Sequence, residues 1–287
     1  MTAPTTVTEA APPRRPLALD LSALAALFGL TVRQHTHGRR LVVLVLLYLV
    51  PCALAVVLRN LSRPAPADIL EFALVFTLLP HGLAPLTALL YAAGTISDEV
   101  EEQTLTYLLL RSVPRWAIYL TKLIATLCVT TLLVSAAVAG LYTAIYAGTA
   151  EFWDKALPRA GSVIGIMALA QIGYCALFGF VGLVSRRALI AGIAYIVAVE
   201  GIIANADFAG RALTVVFYVR TLILRWLDLA PEQLRRCQEA WGMAAMDQLP
   251  SSAECVWTLL SAGIALGLLS AVWFARAEFR VKTPGSD

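Results

Sequence analysis

Long apolar runs separated by short charged ones set the plan of this chain. Six stretches are long and apolar enough to cross a bilayer: about Leu41–Leu58, Ile69–Ala93, Trp116–Tyr146, Gly161–Val184, Ala188–Ala206 and Val256–Ala275. Each supplies the roughly 20 residues that a hydrocarbon core of about 30 Å requires of a helix. The predicted fold class is therefore all-α, a polytopic membrane protein with six transmembrane helices. Pro51 in the first run, and Pro80 and Pro85 in the second, predict kinks. Gly161 and Gly165, with Gly173, Gly179 and Gly182, predict close helix contacts in the fourth.

The segments outside these runs divide by pattern. Residues 1–20 open with MTAPTTVTEAAPPRRP, a Thr-, Ala- and Pro-rich stretch expected to be a disordered tail. From Leu21 to Arg40, apolar Leu21, Leu24, Leu27, Phe28 and Leu30 give way to Arg33, Gln34, His35, His37, Arg39 and Arg40. That gradient predicts an interfacial helix over 21–40, feeding a six-span membrane domain over 41–287. Residues 207–255 are too polar to span as a whole, yet Leu213, Val216, Phe217, Val219, Leu222, Ile223 and Trp226 are expected to form re-entrant or interfacial helices between spans 5 and 6. A seventh span there would have to bury Arg220 and Arg225 and would place the basic C-terminus outside.

Composition agrees: 59% of residues are hydrophobic and 14% charged, with a mean hydropathy of +0.76, where a soluble domain carries about 25% charge. Orientation follows from Lys and Arg. Thirteen of the 22 fall on one side: Arg14, Arg15, Arg33, Arg39 and Arg40 before the first span, Arg111, Arg115 and Lys122 after the second, Arg186 and Arg187 after the fourth, Arg276, Arg280 and Lys282 after the last. Both termini are thus expected in the cytoplasm, with the chain in a bacterial inner membrane. No cleavable leader is apparent in the first 20 residues, so the first span is expected to direct insertion.

One charged segment stands between two spans. Ile96 to Lys122 reads ISDEVEEQTLTYLLLRSVPRWAIYLTK. Asp98, Glu99, Glu101 and Glu102 open it with charges that suit the positive end of a helix dipole. Leu105, Leu108 and Leu109 follow on one helical face. Ser112 is placed to cap, and Pro114 to enter the first turn of, the next helix. In order, Glu101-Glu102, Gln103-Thr104-Leu105, Leu108-Leu109, Arg111-Ser112-Val113-Pro114-Arg115 and Lys122 resemble the cytoplasmic coupling helix of type 2 ATP-binding cassette (ABC) transporter permeases. Gln103 stands where the family has glycine, and Ser112 and Pro114 have exchanged places. The other reading of the segment is a solvated acidic helix.

That resemblance implies a non-catalytic permease subunit of an exporter. Asp98, Glu99, Glu101, Glu102, Thr104, Leu105, Leu108, Leu109, Arg111 and Arg115 would dock on a cytoplasmic ABC ATPase dimer. A second permease subunit would complete the pore, ATP and Mg would sit in the ATPase, and the permease itself would hold no cofactor. The chain contains no G-x-x-x-x-G-K-[ST] loop, H-E-x-x-H or G-x-S-x-G. Nothing in it points to nucleic acid. In chain length, the Leu79-Pro80 pair and the carboxylate of the fifth span it is similar to permeases of nitrous-oxide-reductase maturation and to small multidrug or sodium exporters.

Glu200 is the intramembrane polar candidate. Counted from Arg187 it lies about 18 Å into the bilayer, where an ionised carboxylate is costly unless paired, hydrated or turned to a cavity. It is expected to be the sole carboxylate so placed. Two roles stay open, a charge used in transport and a cap on re-entrant backbone or partner to Arg211 or Arg220. Cys237 and Cys255 could pair on the outer side. His35 and His37, two residues apart, face different ways on a helix, and His81 is read as a packing residue, so no metal site is expected. Two further functional classes remain: a mechanical or scaffold subunit acting on a periplasmic protein through the outer loop, and a stand-alone channel or carrier with Glu200 as its coupling carboxylate.

Overall fold

The computed structural model describes residues 21–61, 65–95, 113–185, 187–206, 209–243 and 246–276, and among them it contains helices and no strand. Helix α1 (Leu21–His37) stops at Gly38, and α2 (Arg39–Arg59) begins immediately after it. There follow α3 (Ala67–Ala92), α4 (Arg115–Tyr146), α5 (Phe152–Val184), α6 (Ala188–Asn205), α7 (Val215–Trp226), α8 (Pro231–Trp241) and α9 (Ser252–Arg276). Six of these, α2 to α6 and α9, are long and apolar enough to cross a membrane. They match the six apolar runs of the sequence.

The middle of the bundle is α5, which packs on α3, α4, α6, α7 and α9. Tyr174 and Phe178 of α5, Tyr91 of α3, Tyr119, Tyr142 and Tyr146 of α4 and Phe274 of α9 are the bundle's largest fully buried side chains. By contrast α2 and α6 are each 22% buried, so most of their apolar surface faces outward. Helix α1 lies across the start of α4, burying Leu27 against Val113, Ala117 and Ile118. Two glycines set the tightest approaches. A Cβ at Gly182 of α5 would collide with the backbone of Ala93, and one at Gly192 of α6 with Leu89. Gly161, expected at such a contact, has open space around its Cα.

Three local features depart from the sequence reading, each for a physical reason. Helix α5 starts at Phe152 rather than Gly161, because the charges that end the apolar run are neutralised in place. Lys155 Nζ lies 3.2 Å from Asp68 and 3.1 Å from Glu151, and Arg159 Nη1 lies 2.9 Å from Glu71. Pro114 stands ahead of α4 as its N-cap, with extended ψ of 139°, and its carbonyl accepts the first helical bonds from Ala117 and Ile118. In α3 the Pro80 kink becomes a π-helical stretch, Glu71–Leu83. Pro80 cannot donate an N–H and crowds the preceding turn, which favours the wider winding. Side chains donate to carbonyls in and just after this stretch: His81 Nδ1 to Thr77 O at 2.7 Å, Thr87 Oγ1 to Leu83 O at 2.7 Å and Gln171 Nε2 to Ala84 O at 3.0 Å.

Candidate functional site

Polar chemistry gathers at the two ends of the bundle. At the α1 end, α3 stops at Ala92, and the described chain continues to Thr95 and resumes at Val113. Lys122, buried about two turns beyond the start of α4, donates from Nζ to the carbonyl of Thr95 at 3.2 Å. A lysine in this position satisfies a terminal carbonyl and meets the negative end of the α3 dipole. Tyr91 donates to the carbonyl of His35 at 3.2 Å and its ring lies 4.7 Å from the imidazole, while His35 Nε2 pairs with Thr126 Oγ1 at 2.9 Å. Thr95 is thereby tied to α4 and Tyr91 to α1, while Val113 packs against Leu27 of α1. Asp98, Glu99, Glu101, Glu102, Thr104, Leu105, Leu108, Leu109 and Arg111, with the cap at Ser112, lie outside the described residues. Arg115 is the exposed first residue of α4.

At the opposite end α6 stops and a helical hairpin, α7 and α8, folds back over α3, α5 and α9. Helix α7 is buried along most of its length, against α5, α9 and the π-helical part of α3. Glu200, fully buried five residues before the end of α6, holds the N-terminus of α7. The two carboxylate oxygens accept from the backbone N–H groups of Val215 and Val216, each at 3.1 Å, and Tyr195 donates to Oε1 at 3.1 Å. Thr214 adds an N-cap by accepting from Phe217 N–H at 3.3 Å. A negative charge on the first N–H groups of a helix is favourable both as hydrogen bonding and against the dipole.

Arg220 fastens the other side of the hairpin. Its guanidinium donates to Ala204 O at 3.2 Å, to Asn205 Oδ1 at 2.7 Å and to His81 Nε2 at 2.5 Å, and it lies 5.5 Å from the ring centre of Trp241. Since arginine only donates and the Thr77 carbonyl only accepts, His81 carries its proton on Nδ1. Its two nitrogens are both occupied, one by the Thr77 carbonyl and one by Arg220. Arg225 donates to the carbonyls of Met246, Leu249 and Pro250, fixing the approach to α9. Cys237 and Cys255 are both buried free thiols, so the disulfide considered for them is not formed.

A second carboxylate is buried within the protein, near the start of α3. Glu71 of α3 is fully buried and meets Arg159 of α5 at 2.9 Å, Tyr142 Oη at 2.8 Å and Tyr146 Oη at 3.0 Å. Arg159 also donates to the Asp228 carbonyl at 2.5 Å and to Gln233 Oε1 at 3.4 Å. The cluster joins α3, α4 and α5 to the hairpin. A signal for it was present in the sequence: an acid just inside the second span and an arginine just before the fourth, at the same end of the bundle.

The sequence signature described as ABC-2 family transporter protein matches residues 37–202, more than half of the chain. The chain belongs to the ABC-2 family. It is accordingly a membrane-spanning component of ABC transport, of the permease type, with an ABC ATPase as the implied partner. No curated protein matches the chain. The family signature covers α2 to α6 and Glu200, and it ends before the hairpin that Glu200 holds.

Proposed function

We propose that this ABC-2 protein is the permease subunit of an exporter, paired with a second permease subunit and driven by a separate cytoplasmic ATPase dimer. The α1 end is the cytoplasmic one, in a bacterial inner membrane. The observation that supports this reading most is the bracing of Thr95 and Val113 by Lys122, α1 and Tyr91. A segment carrying Asp98, Glu99, Glu101 and Glu102 and then Leu105, Leu108 and Leu109 leaves from that platform and returns to it. Push on such a segment and the force passes into α3 and α4 instead of being lost in slack chain. Residues 98–109, Thr104 among them, serve as the docking element, with Arg111 and Arg115 at its margin. The outward apolar faces of α2 and α6 leave room for a second subunit as well as for lipid.

Glu200 in this reading is a positioning residue. Both oxygens are engaged by backbone amides and by Tyr195, so it sets the start of α7 rather than touching cargo. The test of docking is charge reversal. Glu101→Lys with Glu102→Lys is expected to abolish co-purification of the ATPase or to uncouple its hydrolysis from transport, while the permease still folds. An unchanged complex with normal turnover would refute the docking assignment.

A further inference from the structure

We infer that an internal water is bound between α3, α7 and α8, held by Thr77, Arg220 and Trp241. Among the described residues, each of these side chains carries a buried polar atom that no protein group hydrogen-bonds: Thr77 Oγ1, Arg220 Nε and Trp241 Nε1. Tyr119 Oη and Tyr174 Oη are in the same condition on α4 and α5. Arg220 is 3% exposed and Trp241 5%, so bulk solvent does not supply the missing acceptor. A buried donor left unmade is costly, and folded chains contain few of them.

Three contacts bring these atoms to one joint. Arg220 Cζ lies 5.5 Å from the ring centre of Trp241, and the Trp241 ring stacks on Phe72 of α3 at 5.7 Å. Thr77 follows Phe72 by one turn of the π-helical stretch and precedes by one turn His81, which accepts from Arg220 Nη2. It stands on the strip of α3 between the residue that meets Trp241 and the residue that meets Arg220. The chemistry of the set selects water. Guanidinium and indole N–H groups only donate, whereas a hydroxyl can also accept. A water that accepts from Arg220 Nε and Trp241 Nε1 and donates to Thr77 Oγ1 makes about three bonds, as internal waters generally do. An anion is disfavoured, because the carboxylate of Glu200 already sits on the N-terminus of α7, one turn before Arg220.

The experiment uses the full-length chain in detergent. X-ray radiolysis, which makes hydroxyl radicals from bound as well as bulk water, is expected to modify Trp241 in spite of its burial, while Tyr142, also buried but bonded to Glu71, stays unmodified. Thr77→Val keeps the shape of the side chain and removes the hydroxyl. This variant is expected to melt about 2–4 °C lower and to label Trp241 several-fold more slowly. Opening of α8 would raise that labelling instead and count against a bound water. The inference is also overturned by an unmodified Trp241, or by a Thr77→Val protein that melts at or above the wild type, the result for a hydroxyl with no partner at all. A melting temperature that falls when chloride is exchanged for gluconate, and recovers with chloride, would make the bound acceptor an anion and overturn it too.

Discussion

The two buried carboxylates, Glu71 and Glu200, are stabilised by opposite means, and the contrast shows what each end of the hairpin has to do. Glu71 has a full countercharge in Arg159 and two tyrosine hydroxyls, all on other spans. Glu200 has backbone amides of α7 and the hydroxyl of Tyr195, one helical turn back on its own helix. The first arrangement staples α3, α4 and α5, which lie in the most buried part of the bundle. The second connects α6, one of the two least buried spans, to a helix that turns back into the core. An ion pair across spans resists separation, whereas a carboxylate on a helix N-terminus fixes where a helix starts.

The largest effect is therefore expected at the staple. Arg159→Ala or Glu71→Ala leaves one buried charge without its partner, a loss of about 3–5 kcal/mol, read as low yield and a large drop in detergent melting temperature. Glu71→Gln, which keeps oxygen and nitrogen near Tyr142 and Tyr146, should lose less. If all three variants melted like the wild type, the cluster would not be a staple.

At Glu200 the expected effect is smaller and more informative. Glu200→Ala leaves two helix N–H groups unpaired, at a cost of about 1–3 kcal/mol, whereas Glu200→Gln retains an acceptor oxygen for one of them. An unstable alanine variant beside a near-normal glutamine variant assigns Glu200 to positioning α7. Two stable variants that fail in transport would assign the work to its charge.

The smallest effect concerns Cys237 of α8. Burial, with the field of Glu71 behind it, pushes this thiol up to about 11 from an ordinary 9.0. The thiol form is then retained at neutral pH, with about a hundredfold less thiolate than an unperturbed cysteine would have. Maleimide labelling of Cys237 in the folded protein should be correspondingly slow. It should speed up in Glu71→Ala, where the field is gone and the packing loosened. Labelling of the wild type at the rate of a free cysteine would remove the link between the staple and α8.

The same contrast explains how much could be read from sequence. Apolar length fixes a span whatever its neighbours, so all six were legible. Where a helix began among charges, the outcome depended on partners far away in the chain: Asp68 for Lys155 and Glu71 for Arg159. Sequence around Gly161 carries no trace of those partners, and the start of α5 was placed too late. Glu200 stood out because a carboxylate inside an apolar run needs a partner. Its partners did not stand out, because the N–H groups of Val215 and Val216 belong to the backbone and every residue but proline has one. Likewise, the Pro80 kink was foreseeable, but the contacts that Gln171 and Arg220 bring to this part of α3 from other helices were not.

The central claim is that this chain moves its cargo with energy drawn from a partner ATPase through the segment after Thr95. Reconstitution of the chain and its ATPase in proteoliposomes tests it most directly, with ATP hydrolysis and ATP-dependent transport measured together for each component alone and for the pair. The account predicts transport only from the pair, and loss of coupling when Glu101 and Glu102 are both changed to Lys. Transport by the chain alone, without ATP or the ATPase, would contradict it and make the protein a self-sufficient channel or carrier.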